Sequence, residues 1–176
     1  MLAEIVLSGS GGQGVLVMGR LLAEAGFIEG KEVVWSPSYS AEKRGGTVSC
    51  SVTISDDKIG ALVITRPTIG IAMNKAAAGK LEPTIKTGGW LCVNQVDYRY
   101  KSSRKDIHFL TVRASQMALE MGSESIANII MLGAMIAAYP VVSLNGVKKV
   151  MGRLFGSKTL EMNRHALEKG GESAQV

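Results

Sequence analysis

An α/β fold is predicted by three stretches of this 176-residue chain. Glu4 to Gly14, EIVLSGSGGQG, sets Gly9, Gly11 and Gly14 in G-x-G-x-x-G spacing between a short apolar run and a helical pattern. Thr47 to Ser55 alternates cleanly, with Val48, Cys50, Val52 and Ile54 on one face and Thr47, Ser49, Ser51, Thr53 and Ser55 on the other, the signature of a half-buried strand. From Ala114 onward the pattern is helical. Strands alternating with helices give a mostly parallel sheet, with an antiparallel element inserted around Thr47 to Thr65 and helices at the C-terminal end.

The elements follow in order. After the first strand, Val15, Met18, Leu21, Leu22 and Ala25 recur at helical spacing and predict a helix from about Gly12 to Ala25, with Gly26 near its C-cap. Glu32 to Trp35 is a second strand. Ser36 to Gly46, SPSYSAEKRGG, has neither period and reads as a loop. After Thr47 to Ser55, Asp56-Asp57-Lys58 makes a turn, and Ile59 to Thr65 is the expected hairpin partner. Thr68 to Met73 is a buried strand, and Asn74 is placed to cap a helix that Gly79 and Pro83 shorten or break. Trp90 to Val93 and Ile107 to Val112 are further strands, separated by the polar, basic stretch Asp97 to Asp106, a solvated loop. Ala114 to Met121, Ser125 to Ala138, Ser143 to Leu154 and Ser157 to Lys169 are helical, and Gly170 to Val176 reads as a frayed tail.

Composition narrows the function. With 46% hydrophobic residues the chain buries one core, and no linker divides it. Ile126 to Tyr139, its longest apolar stretch, is interrupted by Asn128 and Gly133 and falls well short of the ~20 residues that span a bilayer. No signal-peptide pattern opens the sequence, so a cytoplasmic protein is expected. Cys50 and Cys92 are far apart without Cys or His companions, so no disulfide framework or metal centre is signalled, and two cysteines fall short of the four thiolates of an iron–sulfur cluster. The formal charge of +5 comes from scattered Lys and Arg with only 5% aromatic residues. That describes a solvated basic surface, a polyanionic small-molecule site or an acidic partner rather than a nucleic-acid binder.

The glycine loop has a physical reading of its own. Gly9 permits a tight strand-to-helix turn, Gly11 a close backbone approach, and Gly14 close packing of the helix, while the helix N-terminus offers free N–H groups to an anion. A dinucleotide site of the common type also needs a carboxylate at the end of the second strand. This chain ends that strand in Ser36, Pro37 and Ser38, with Glu32 at its beginning, ~10 Å away at ~3.3 Å per residue. An NAD site is therefore disfavoured.

Taken together, GSGGQGVLVMGRLLAEAG from Gly9, SPSYSAEKRGGTVSCSVTISDDKIG from Ser36, RPTIGIAMN from Arg66, IKTGGWLCVNQ from Ile85 and SIANIIMLGAMIAA from Ser125 resemble the gamma subunit of 2-oxoacid:ferredoxin oxidoreductases, the pyruvate/ketoisovalerate oxidoreductase catalytic domain. The resemblance spans about residues 4 to 165. It implies a Rossmann-like three-layer fold and a subunit, inactive alone, of a complex that decarboxylates a 2-oxoacid oxidatively with coenzyme A, giving acyl-CoA, CO2 and reduced ferredoxin. Thiamine diphosphate, Mg and iron–sulfur clusters are then expected on alpha, beta and ferredoxin-like delta partners. In agreement, this chain has no G-D-G segment with a downstream Asn pair of the thiamine-binding kind. The S-Y-x-x-E-x-R-G-G form of the loop looks like the 2-oxoglutarate and branched-chain branches, whereas the indolepyruvate branch tends to carry His-Gly-x-x-Gln-Arg-Gly-Gly. The chain departs from many relatives at Thr68, where they have Asp, and at the Ala-rich stretch Ala76 to Gly79.

Two sets of residues follow as candidates. For contact with coenzyme A they are Gly9, Gly11, Gly12, Gln13 and Gly14, with Lys43 and Arg44 adding charge-assisted bonds to a phosphate. For an interface or a surface facing the active centre they are Ser38, Tyr39, Glu42, Arg44, Gly45 and Gly46. No catalytic group or metal ligand is expected: His108, His165 and Cys50 lack partners by order and spacing. The competing class is a stand-alone Rossmann-like nucleotide-binding dehydrogenase or redox domain. The missing ribose carboxylate argues against it.

Overall fold

A computed structural model describes residues 1–39, 46–96 and 99–174. Among the described residues, six strands form one sheet: β1 (Leu2–Ser10), β2 (Glu32–Tyr39), β3 (Thr47–Ser55), β4 (Ile69–Ala72), β5 (Trp90–Asn94) and β6 (His108–Val112), in the order β2-β3-β1-β4-β5-β6. Only β3 runs against the others, because β1, β4, β5 and β6 pair in parallel while β3 is antiparallel to both β1 and β2. The mostly parallel, three-layer α/β fold is as expected.

The hairpin is not the one predicted. All of β2 pairs with β3, Glu32 opposite Ser55 and Tyr39 opposite Val48, and Ile59 to Thr65 forms no strand. Instead, residues 57–64 lie across the hydroxyl face of β3, which is why Thr53 and Ser55 are buried although the other face already packs on a helix. Nor does the loop begin at Ser36. β2 is an edge strand, so Pro37 sits in it without losing a needed ladder bond, and the strand continues to Tyr39.

Helix α1 (Val15–Ile28) covers the apolar face of β3. It runs three residues past the expected end, with Gly26 inside it against Val33 and Ile54, and the turn that follows uses Gly30 at φ 76°. Helix α2 (Lys75–Leu81) covers the opposite face, capped as predicted by Asn74, whose side chain accepts from the Ala77 N–H at 2.9 Å. A 3-10 turn over Glu82–Thr84, carrying Pro83, ends it. Helices α3 (Ala114–Glu120), α4 (Ala127–Ala138), α5 (Leu144–Leu154) and α6 (Ser157–Ser173) stack on the α1 side. α4 is buried on nearly every side, between the sheet and α6, as an all-round apolar helix must be. The expected frayed tail is helical to Ser173, since Gly170 and Gly171 are buried against α4.

The basic stretch before β6 is tied down by Glu82. Its carboxylate accepts from Tyr100 at 2.5 Å, Ser102 at 2.6 Å and the Ser103 N–H at 2.8 Å, while Arg104 bonds the carbonyls of Glu82 and Ile85 and pairs with Asp106. Burial would raise this carboxyl's pKa, but the hydrogen bonds from Ser102, Tyr100 and the Ser103 and Arg104 amides outweigh it and hold it below its ordinary value. The stabilisation is therefore present above the ordinary carboxylate range and is lost as pH falls through it. Glu82→Gln should cost about 2 kcal/mol at pH 7. Paired melts of the two chains should converge as the pH drops toward 3.

Candidate functional site

The carboxyl ends of the parallel strands meet where the chain order reverses. From β1 the chain crosses through α1 to the edge strand β2 and returns through β3, and from β4 it winds the other way, so a crevice opens between the loops that follow β1 and β4. The glycine loop forms one wall. Ser10 N–H donates to Gln13 Oε1 at 2.7 Å and Gln13 N–H to the Ser10 carbonyl at 3.1 Å, which folds Gly11 and Gly12 outward. Gly11 N–H donates to the Gly46 carbonyl at 3.3 Å. Two elements singled out separately in the sequence thus meet here.

That geometry refines how the loop can hold an anion. The N–H groups of Gly11 and Gln13 are already engaged within the protein. The first intrahelical bond of α1 runs from Met18 N–H to the Gly14 carbonyl, so the amides of Val15, Leu16 and Val17 have no intrahelical partner. Gly9 packs under Gln13 and Met73. Gly14, at φ 68°, packs beneath Asn128 of α4 rather than against the sheet.

Sequence reasoning missed an asparagine network behind the loop. Asn74 Nδ2 donates to Ser10 Oγ at 3.1 Å and to Gln13 Oε1 at 2.9 Å, and Gln13 Nε2 donates to the Met73 carbonyl at 3.3 Å. Asn94, fully buried at the end of β5, donates to the same carbonyl and to Ser115 Oγ. Asn128 Nδ2 reaches the Gly14 carbonyl at 3.2 Å across 114 residues of chain. The amides thereby lock the ends of β1, β4 and β5 to the starts of α1, α2 and α3. Beside them lies a cavity of about 520 Å³, bounded by Gly12, Gln13, Met73, Val96, Leu119 and Asn128, with Ser115, Glu124, Ser125 and Ala127 completing it. Lys80 also approaches this end, its Nζ 3.4 Å from Thr47 Oγ1, and Thr47 is the register partner of Ser10.

Glu42, Lys43, Arg44 and Gly45 lie outside the described residues, as does the side chain of Tyr39. Ser38 is exposed near the end of β2, opposite Ser49. Thr68 fixes β4 to β1: its Oγ1 accepts from Glu4 N–H at 2.9 Å and donates to the Glu4 carbonyl at 3.0 Å. His108 stacks on Trp90 at 4.7 Å at the opposite end of the sheet, and His165 faces a surface cleft between α5 and α6. Burial pushes the Cys50 thiol up to about 11 and the Cys92 thiol up to about 12, so neither is a thiolate nucleophile at neutral pH. Among the described residues, no three His, Cys, Asp or Glu side chains group to hold a metal, and no helix is long and apolar enough to cross a membrane.

The order of the strands also bears on the dinucleotide question. β3 stands between β1 and β2, so the end of β2 is two strands from the glycine loop, ~10 Å at ~4.8 Å per strand. A ribose carboxylate at that end would not face a nucleotide in the usual way.

Comparison with known proteins gives a consistent picture. The profile of the family described as pyruvate ferredoxin/flavodoxin oxidoreductase matches residues 4–173. Ketoisovalerate oxidoreductase subunit VorA of Methanothermobacter thermautotrophicus is 32% identical over 98% of this chain and 36% of its own. The crystal structure of the keto/oxoacid ferredoxin oxidoreductase gamma subunit of Geobacter sulfurreducens superposes with a TM-score of 0.85 at 33% identity, covering 99% of this chain and 97% of that one. The 2-oxoglutarate:ferredoxin oxidoreductase of Magnetococcus marinus, solved with 2-oxoglutarate, coenzyme A and succinyl-CoA bound, gives a TM-score of 0.91 at 26% identity over 99% of this chain and 31% of that one. The chain thus spans about a third of the longer relatives and nearly all of the separate gamma subunit.

Proposed function

The chain belongs to the pyruvate ferredoxin/flavodoxin oxidoreductase family, and we propose that it is the gamma-type component of a multi-subunit 2-oxoacid:ferredoxin oxidoreductase of the cytoplasm, in which it helps to bind coenzyme A. The observation that supports this reading is the contact of Gly11 with Gly46, which brings the glycine loop to the residue that ends the Ser36-to-Gly46 stretch, in whose sequence Lys43 and Arg44 stand. The uncoordinated amides of Val15, Leu16 and Val17 and the cations of that segment suit a phosphate. Ser38, Tyr39, Glu42, Gly45 and Gly46 then serve the contact with the partner that carries the reacting centre.

The chemistry itself falls to the partners. Each turnover of such an assembly would release the carboxylate as CO2, join the acyl group to the coenzyme A sulfur with loss of the thiol proton and pass two electrons to ferredoxin, and thiamine diphosphate and iron–sulfur clusters on the partners would supply the decarboxylation and electron-transfer chemistry. The described residues of this chain do not suit those groups: both thiols are buried and protonated, and no carboxylate cluster is present to hold the diphosphate's metal. Their part is to bind, orient and exclude water. The Ser38-to-Gly46 loop form, and likeness to a ketoisovalerate and a 2-oxoglutarate enzyme, support a 2-oxoglutarate or branched-chain substrate.

The assembly purified through a tag on this chain should reduce ferredoxin with one of these oxoacids only when coenzyme A is present, and the isolated chain should be inactive. Lys43→Ala with Arg44→Ala should raise the KM for coenzyme A about tenfold or more, with the KM for the oxoacid unchanged. Thermal stabilisation of the isolated chain by NAD but not by coenzyme A would instead establish the stand-alone dehydrogenase.

A further inference from the structure

We propose that the layer formed by α2, the turn after it and residues 99–106 is a cationic docking face for an acidic protein that binds transiently. Resting on the function proposed above, that protein is the ferredoxin, which must leave after each transfer. Three observations point to it.

The first is where the charge lies. Residues 75–113 carry eight Lys and Arg against three Asp and Glu, an excess of five that equals the net charge of the whole chain, while the other residues hold twelve of each sign. The fold gathers that segment. Tyr100, Ser102 and Ser103 bond the Glu82 carboxylate at the end of α2, Arg104 reaches the Ile85 carbonyl, and Thr87 meets Asp106 at 2.9 Å. Lys86, Arg99, Lys101 and Lys105 are thereby brought to one layer, and all four are exposed.

The second is that the described carboxylates of this layer are spent inside it. Glu82 is buried and taken by hydroxyls and amides, and Asp106 is held by Arg104 and Thr87. Among the described residues, Lys86, Arg99, Lys101 and Lys105 form no ion pair. On α5 and α6 the cations are instead interleaved with acids, Lys148 pairing with Glu168, Arg164 with Glu161 and Lys169 with Glu172. The field of the α2 layer is therefore directed outward, where it steers an acidic protein toward the chain and turns a basic one away.

The third is what the face lacks. Among the described residues, none of the exposed large apolar side chains, Phe27, Leu62 and Val63 among them, lies in α2, in the turn after it or in 99–106, and Tyr100 stacks its ring on Phe109 rather than presenting it for a base to stack on. A permanent subunit contact has an apolar centre. A cationic face without one suits an encounter that forms fast and dissolves, as an electron acceptor requires. The electrons pass from a partner's cluster to ferredoxin, and this chain sets the approach.

The test uses the complete assembly with an acidic ferredoxin as acceptor. The triple variant Lys86→Glu/Lys101→Glu/Lys105→Glu, at exposed positions where folding is not at stake, should raise the KM for ferredoxin about tenfold or more at low salt. Its KM values for coenzyme A and the oxoacid, and its kcat with saturating methyl viologen in place of ferredoxin, should be unchanged. The wild-type KM for ferredoxin should climb between about 0.02 and 0.3 M salt as the charges are screened, and that of the variant should not. An unchanged KM for ferredoxin in the variant, or a wild-type KM indifferent to salt, would overturn the docking face while leaving the assembly's function intact. So would loss of the partner subunits from the variant on purification, which marks a permanent interface, or loss of bound nucleic acid with the KM for ferredoxin unchanged. Absence of any ferredoxin reduction by the wild-type assembly with oxoacid and coenzyme A would overturn both.

Discussion

Gly14→Ala is expected to lower stability by about 2–4 kcal/mol, and in the assembly to raise the KM for coenzyme A. Two effects add. At φ 68° an alanine is strained by about 1 kcal/mol relative to glycine. Its Cβ would also fall on the Asn128 amide, with Cγ at 2.7 Å, and that amide is buried and already bonded to the Gly14 carbonyl, so displacing it costs a further ~1–3 kcal/mol. For a chain of this length the melting temperature should fall by roughly 10 °C. Gly12→Ala separates the terms: Gly12 also has positive φ, at 89°, but a Cβ there meets open space, so only the strain of about 1 kcal/mol remains. Asn128→Ala should destabilise by itself, yet the double variant Gly14→Ala/Asn128→Ala should be more stable than the sum of the two predicts, because the second change removes the clash. Strict additivity would show that Gly14 and Asn128 do not press on each other.

The pairing of Gly14 with Asn128 also shows where sequence reasoning stops. The glycine spacing announced a turn, and Asn74 announced a cap, because both act within a few residues of themselves. The strands β1, β3, β5 and β6 were legible for the same reason, their patterns being local. What β3 pairs with was not: two short β-prone segments flank it, and the choice of β2 over Ile59 to Thr65 is made by register along eight residues and by α1 packing on both strands at once. Pro37 argued for a loop because its cost depends on whether the strand is central or at the edge, a property of the sheet and not of the residue. Asn128 gave one signal, a polar side chain interrupting an apolar helix. That flagged an oddity without naming Gly14, 114 residues away, as its partner. Of the site itself, the sequence therefore revealed the backbone loop and concealed the amide network and the cavity behind it.

Gly170→Ala is the other large expected effect, and its sign is set by competing terms. By helix propensity alone, replacing glycine in α6 stabilises by ~1 kcal/mol. At Gly170, however, a Cβ would fall on the Ile130 carbonyl oxygen of α4, and at Gly133 of α4 a Cβ would fall on the Leu167 carbonyl oxygen of α6. The two helices approach backbone to backbone through this reciprocal pair. The obstructing atoms belong to rigid helical backbone, so relief requires the helices to separate, and α4 is held on its other side by the sheet and α1. Overpacking of this kind costs about 3 kcal/mol, which outweighs the propensity gain and leaves a net loss of about 2 kcal/mol, or a melting temperature ~4–8 °C lower. Gly133→Ala should behave alike. Gly79→Ala supplies the opposite sign in the same protein: Gly79 is exposed in α2 and a Cβ there meets open space, so the propensity term acts alone and the melting temperature should rise by ~2–4 °C. Calorimetry of the three variants decides the matter, and a stabilised Gly170→Ala would mean that α4 and α6 are free to move apart.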